Sequence, residues 1–207
     1  MSRSEQIPGP LALAGDPPTF RAGGGTSDQA DVLCVQNCLA GRSEAFEEIV
    51  TRYQKPMFNL IYQMVHDYED TREIVQTVFL KAFSSLKRFD QERRFFSWLC
   101  RIAMNESINA VTSRKPSEPI VSDFPSPAAS PEDRAQASEM RTLLSHALQK
   151  LTPEYRAVIA LRHFASCSYR EAAEILGVPE KTVKSRLFSA RQILRDELTA
   201  RGLGAKA

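Results

Sequence analysis

The sequence predicts an all-α protein: two small helical domains joined by a flexible linker, the second a helix-turn-helix. Three observations carry this. Apolar residues recur at three-and-four spacing over two long stretches, the period of a helix with one buried face. Neither strand alternation nor an Asn-Gly hairpin signal occurs. Nine of the 12 prolines gather in two places, four in residues 1–30 and five in residues 116–137.

Taken in order, residues 1–30 hold Pro8, Pro10, Pro17, Pro18 and the Gly23-Gly24-Gly25 run, and few side chains that could build a core. They read as a disordered tail. Residues 31–115 form the first helical block. Its stripes are Ala45, Phe46, Ile49, Val50 and Tyr53; Met57, Leu60, Ile61, Met64 and Val65; Ile74, Val75, Val78, Phe79, Ala82, Phe83 and Leu86; then Trp98, Leu99, Ile102 and Ala103, continuing to Ile108 and Val111. Residues 116–137 read as a linker, because proline stiffens the chain and supplies no amide donor. Residues 138–200 form the second block, with stripes Met140, Leu143, Leu144, Ala147, Leu148 and Leu151, then Val158, Ile159, Leu161 and Phe164. Residues 201–207 are a short tail. Thr152-Pro153 pairs a capping residue with a first-turn proline, and Ser168 with Glu171 fits a capping box.

Composition bounds the function. With 43% hydrophobic and 25% charged residues the chain is neither collagen-like, mucin-like nor wholly disordered. No run of about 18 apolar residues exists, so no membrane insertion is expected. No secretory signal is visible at the start, so a cytoplasmic location with reduced cysteines is expected. The net charge of +2 hides a polarised distribution. The tail carries −1, the first block +1, the linker −3 and residues 138–207 +5.

The segment from Ser168 to Glu197 is the most informative. A short helix from Tyr169 to Leu176 ends at Gly177, which can take a left-handed turn at low cost. Ala173, four residues earlier, is small enough to let two helices cross closely. Val178-Pro179 makes the turn. A longer helix, about Glu180 to Leu198, puts Val183 and Leu187 on its apolar face and Lys181, Lys184, Ser185, Arg186, Ser189 and Arg191 on the other. This is the helix-turn-helix pattern, whose second helix suits a DNA major groove. A solvated basic face alone would say much less. Arg195 and Arg201 suit the C-terminal end of the helix dipole.

In the first block, Asp67, Glu69, Asp70 and Glu73 against Arg72 make an acidic stretch of −3. Lys87 to Lys115 follows with a net +4. Phe89, Phe95, Phe96 and Trp98 are interleaved with its cations, a combination that suits single-stranded DNA, where bases stack on rings and cations track the backbone. Trp98 and Leu99 are expected mostly in the core.

These segments resemble the bacterial RNA polymerase sigma factors of the sigma-70 family. Asp67 to Phe83 (DYEDTREIVQTVFLKAF) is similar to the second conserved region, and Phe95 to Asn105 (FFSWLCRIAMN) to its promoter-melting helix. Leu151 to Arg162 (LTPEYRAVIALR) and Ser168 to Arg191 resemble the fourth region. The spacing is that of the small extracytoplasmic-function class, and the resemblance covers about residues 31–200. It implies a protein that binds core polymerase and promoter DNA and performs no covalent chemistry. Asp70, Glu73, Gln76 and Thr77 match positions that dock on the clamp of the largest polymerase subunit, although the family usually has an acid where Thr77 stands. The second domain would meet the flap of the second-largest subunit. Arg88, Phe89, Arg93, Arg94, Trp98, Arg101, Asn105 and Asn109 match the minus-10 surface. The loop Phe89 to Arg94 lacks the family's frequent Arg-Gly-acid sequence. Lys181, Thr182, Lys184, Ser185, Arg186, Phe188, Ser189 and Arg191 match the minus-35 helix. Ser189 stands where relatives can hold arginine, and a serine makes no bidentate guanine contact. An anti-sigma partner is implied as well, and with it a regulon for stress or the cell envelope.

Other chemistry finds little support. Cys34, Cys38, Cys100 and Cys167 show no ligand-pair spacing with His66, His146 or His163, so no metal or other cofactor is expected. No catalytic triad and no phosphate-binding glycine loop occurs. A self-sufficient helix-turn-helix regulator is the competing reading. The acidic stretch followed by an aromatic-basic one argues against it.

Overall fold

The computed structural model describes residues 26–113 and 143–203, and every regular element among them is helical. The expected linker at 116–137, Met140, and tail residues 1–25 and 204–207 lie outside the described residues. The first helix, α1, spans Thr26–Leu39. It therefore begins inside the segment expected as tail, because Asp28 and Asp31 both find partners on the domain. Asp31 is fully buried and accepts from the Arg52 guanidinium and, at 2.5 Å, from the Tyr53 hydroxyl. Burial still holds its carboxyl above the usual range.

Helix α2, Ala45–Val65, buries Phe46, Ile49, Tyr53, Met57, Leu60, Ile61, Met64 and Val65 along the expected stripe. Pro56 lies inside it. An interior proline costs a helix roughly 3 kcal/mol, and the apolar face on both sides of it outweighs that. The helix stops at His66, which takes a left-handed φ of 56° and donates its N–H to the Tyr62 carbonyl. Asp67 then caps α3, Tyr68–Ser85, by accepting from the Asp70 N–H at 2.9 Å. A tight turn at Leu86–Arg88 and a short loop lead to α4, Phe95–Ser113. Phe95, Phe96, Leu99, Cys100, Ala103 and Met104 close the core against α2 and α3. Trp98 is only half-buried. Phe83, expected in the core, is 47% exposed, although its ring meets that of Phe46 edge-on at 5.1 Å.

The second domain comprises α5 (143–149), α6 (Pro153–Ile159), α7 (Tyr169–Leu176) and α8 (Glu180–Leu198). Pro153 opens α6 in its first turn, as the sequence predicts, and α6 runs on through a wider π-type turn at Ala160–Phe164. The bounds of α7 and α8 are those read from the sequence.

The two domains share one continuous core. Arg156, on α6, is buried at the join and donates to four carbonyls: Leu148 at 3.1 Å, Gln149 at 3.1 Å, Leu151 at 3.2 Å and Met64 of α2 at 2.5 Å. Carbonyls in the last turn of a helix have no partner of their own. One planar guanidinium answers those of Gln149 and Leu151 around the end of α5 and that of Met64 at the end of α2, and shares the Leu148 carbonyl with the Leu151 N–H, 3.1 Å away. Beside it, the Nδ1 of buried His66 meets the Ser145 hydroxyl of α5 at 3.2 Å. No member of this cluster carries a negative charge, so burial, then Arg156 and His146, push His66 down to about 3.

Replacing Arg156 with methionine keeps bulk but strands buried carbonyls, so unfolding stability should fall by about 3 kcal/mol in a denaturant titration. His66 gives a pH signature. Its folded value lies below its unfolded one, so its contribution is complete above about pH 6.5 and is lost as pH falls toward 3. Stability should decline by on the order of 1.4 kcal/mol per pH unit below about 6. His163, lowered by burial, Arg191 and Arg162, adds in the same direction. His66→Asn, which tolerates the left-handed backbone, should flatten the decline.

Candidate nucleic-acid interface

Helix α8 is built to present one face. The Ser168 side chain accepts from the Glu171 N–H at 3.2 Å while the Glu171 carboxylate accepts from the Ser168 N–H at 2.8 Å, completing the capping box at the start of α7. Gly177 turns the chain with φ of 65°, its N–H bonded to the Ala173 carbonyl. Val183, Leu187 and Ala190 then anchor α8 in the core. On the other side Lys181, Lys184, Ser185, Phe188 and Arg191 are exposed, and Thr182, Arg186 and Ser189 are half-buried. The Lys184 ammonium pairs with Glu180 at 2.6 Å and lies 5.5 Å from the centre of the Tyr169 ring. Arg191 meets His163 Nε2 at 3.3 Å. Phe188, 66% exposed, is a large ring set among cations with no core to fill.

The minus-10 candidates divide. Arg88, Arg93, Arg101, Asn105 and Asn109 are exposed. Phe89 is in the core, its ring 5.3 Å from Phe95 and 5.0 Å from Trp98. The loop before α4 is held by Asp90, which accepts from the Glu92 N–H at 3.1 Å and pairs with Arg93 at 3.3 Å. Arg94 and Arg101 are engaged across the domain boundary. Arg94 pairs with Glu171 at 2.5 Å and Asp28 at 3.2 Å, and Arg101 donates to the Glu174 and Ile175 carbonyls.

The polymerase-docking candidates lie along α3. Glu73 and Gln76 are exposed, and Asp70 and Thr77 are half-buried. Leu80, missed by the sequence reading, is 64% exposed. Its spacing from Glu73, Gln76 and Thr77 puts it on their face, a signal available in the sequence.

The four cysteines are free thiols. Cys34 donates to the Glu48 carboxylate at 3.4 Å, and burial pushes the Cys167 thiol up to about 12. Such thiols are poor ligands and nucleophiles, and no group of three or more metal-binding side chains occurs among the described residues. None of the described helices is long and apolar enough to cross a membrane.

Two small helical domains, one carrying a capped helix-turn-helix with a basic outer face, define a DNA-reading protein of the helical class. Residues 49–116 match the family described as Sigma-70 region 2, and residues 141–194 match Sigma-70, region 4. The chain is 31% identical over 176 residues to the ECF RNA polymerase sigma factor SigW of Bacillus subtilis, covering 79% of this chain and 94% of SigW. It is 32% identical over 184 residues to the ECF RNA polymerase sigma-E factor of Haemophilus influenzae, covering 83% and 95%. Among solved structures, CnrH in complex with the cytosolic domain of CnrY is similar, with a TM-score of 0.64 and 26% identity over 83% of this chain and 98% of CnrH. The chain belongs to the extracytoplasmic-function sigma factors, which are transcription initiation factors.

A Cβ on Gly177 would meet nothing within 4 Å, so its left-handed φ alone sets the cost of a side chain there. Gly177→Ala should lower stability by about 1 kcal/mol, read by thermal melting, without changing the fold.

Proposed function

We propose that this protein acts in the cytoplasm as the promoter-specificity subunit of RNA polymerase. The outer face of α3 docks it on the clamp of the largest subunit, through Glu73, Gln76 and Thr77 with Asp70 beside them and Leu80 as the apolar centre. The second domain meets the flap of the second-largest subunit. Helix α4 and the preceding loop engage and melt the minus-10 element, and α8 reads the minus-35 element. The observation that carries this is the two-sidedness of α8: Val183, Leu187 and Ala190 are locked in the core while Lys181, Lys184, Ser185, Phe188 and Arg191 stand in solvent. A groove-reading helix needs that arrangement, because base contacts demand a fixed backbone and free side chains. The family membership joins this surface to polymerase. CnrH was solved in complex with the cytosolic domain of CnrY, which supports a protein partner here; we read that partner as an anti-sigma factor whose release turns on a stress or envelope regulon.

Core polymerase supplemented with the purified chain should initiate at a small set of genomic promoters, read by transcript mapping. Initiation nowhere would overturn the proposal, and tight duplex binding without polymerase at physiological salt would favour a self-sufficient regulator. Leu80→Asp or Gln76→Ala should weaken assembly with core polymerase by about tenfold or more, a loss of roughly 1.4 kcal/mol. Lys184→Ala should leave assembly intact, weaken binding to the upstream promoter element and lower the salt dependence of that binding by about one counterion.

A further inference from the structure

We propose that Gln36 of α1 sets which base the minus-10 loop prefers, by holding the Gln91 amide so that its N–H2 group, and not its carbonyl oxygen, faces the DNA. Gln91 reads the base, and Gln36 is a positioning residue that acts through it. The proposal rests on the reading of this loop as part of the minus-10 surface.

The loop between Phe89 and Phe95 has a fixed main chain. Both flanking rings are in the core. The Arg93 N–H donates to the Asp90 carbonyl at 3.0 Å, which closes a four-residue turn, and the Asp90 carboxylate takes the Glu92 N–H and the Arg93 side chain. Gln91 and Glu92 form the tip, and both are exposed. Helix α1 runs alongside. Its Gln36 Nε2 donates to the Gln91 Oε1 at 3.2 Å. About 12 Å back along the same helix, Asp28 pairs with Arg94 at 3.2 Å, at the end of the loop. The helix is itself pinned next to Gln36: Cys34 and Val35 are buried, and Asp31 is tied to Arg52 and Tyr53. The donor that meets Gln91 therefore sits on a rigid element.

A primary amide has one acceptor end and one donor end. Gln36 spends its donor end on the acceptor end of Gln91, and the end of Gln91 left over is its N–H2 group. Rotating the Gln91 amide by half a turn would set N–H2 against N–H2, so the partner dictates the orientation. Thymine and guanine carry a carbonyl oxygen where cytosine and adenine carry an N–H2 group. An outward donor favours the first pair.

Gln36→Glu replaces the donor with a carboxylate, which only accepts. The Gln91 amide then turns to donate to it and leaves its carbonyl oxygen outward. Core polymerase carrying each full-length variant is given promoters randomised across the minus-10 element, and the transcripts are sequenced. At one position of the element the wild type should favour thymine or guanine by about fivefold. Gln36→Glu should invert that preference toward cytosine or adenine, and Gln36→Ala and Gln91→Ala should flatten it. Gln54→Glu, at an exposed position of α2, adds the same charge elsewhere and should leave the wild-type preference in place. A merely structural role for Gln36 would lower the melting temperature and the transcript yield without inverting the preference, and that result overturns the proposal. So does a base profile that Gln36→Glu shifts no more than Gln54→Glu, or that Gln91→Ala leaves unchanged. Failure of the underlying reading shows separately: Arg88→Ala combined with Asn105→Ala would then open promoters at the wild-type rate.

Discussion

The structure turns on the burial of one cation without an anion. Arg156 is surrounded by main-chain carbonyls, and its guanidinium works as a hydrogen-bond hub. Helices that end against each other bring orphan carbonyls out of water, and each left unsatisfied costs about 1–3 kcal/mol. An apolar residue at position 156 could fill the space but not answer the carbonyls. A lysine would offer three donors on one point, where the guanidinium offers five in a plane. Burial lowers the tendency of Arg156 to hold its proton, with no carboxylate nearby to oppose it, and the carbonyl dipoles take the place of a counterion. His66 accepts the consequence and stays neutral beside it.

Most of the fold was legible because its signals are local. The capping box at Ser168, the left-handed Gly177 and the three-and-four stripes of α2 and α3 are each settled by neighbours within four residues. The failures are all long-range. Phe83 belongs to the apolar stripe of α3 by spacing, yet lies near the rim of α2 where there is not enough partner surface to cover it. Thr26 to Ala30 sit in a polar stretch next to a glycine run and read as tail, yet are helical because Asp28 and Asp31 meet Arg94 and Arg52 from distant parts of the chain. Nothing within a window of sequence announces those pairs.

The candidate site followed the same division. On α8, Lys181, Lys184, Ser185 and Arg191 were read from pattern and are exposed, while Arg186 and Ser189, read the same way, are half-buried, since a helix pinned by Val183, Leu187 and Ala190 has only one way to face. The minus-10 set was assembled from chemistry and resemblance, and its members prove unlike one another. Phe89 is core, Arg88 is exposed, Arg93 is exposed and paired with Asp90, and Arg94 and the exposed Arg101 are bonded to α7. A cation's type is visible in sequence, but its partner is a property of the tertiary contact. The charge pattern shows the same limit: Asp28 of α1 and Glu171 of α7 both meet Arg94, just before α4, in space and not along the chain.

The hub around Arg156 is also asymmetric, and the asymmetry bears on how the domains could part. Three of its four carbonyls, those of Leu148, Gln149 and Leu151, belong to the second domain, and only that of Met64 belongs to the first. Separation would exchange one protein hydrogen bond at Arg156 for one to water while leaving the other three closed. The end of α2 would be wetted, with His66 returning to an ordinary environment. Arg94 and Arg101 would likewise trade partners that water or phosphate can replace. What separation must overcome is the apolar area shared across the join, a term without direction that a competing surface can supply equally well. Each domain keeps its own caps, its own buried stripe and its own turn. Opening is therefore a rigid-body exchange of one interface for another rather than a local unfolding, and a partner shifts it only by the difference in its affinity for the two states.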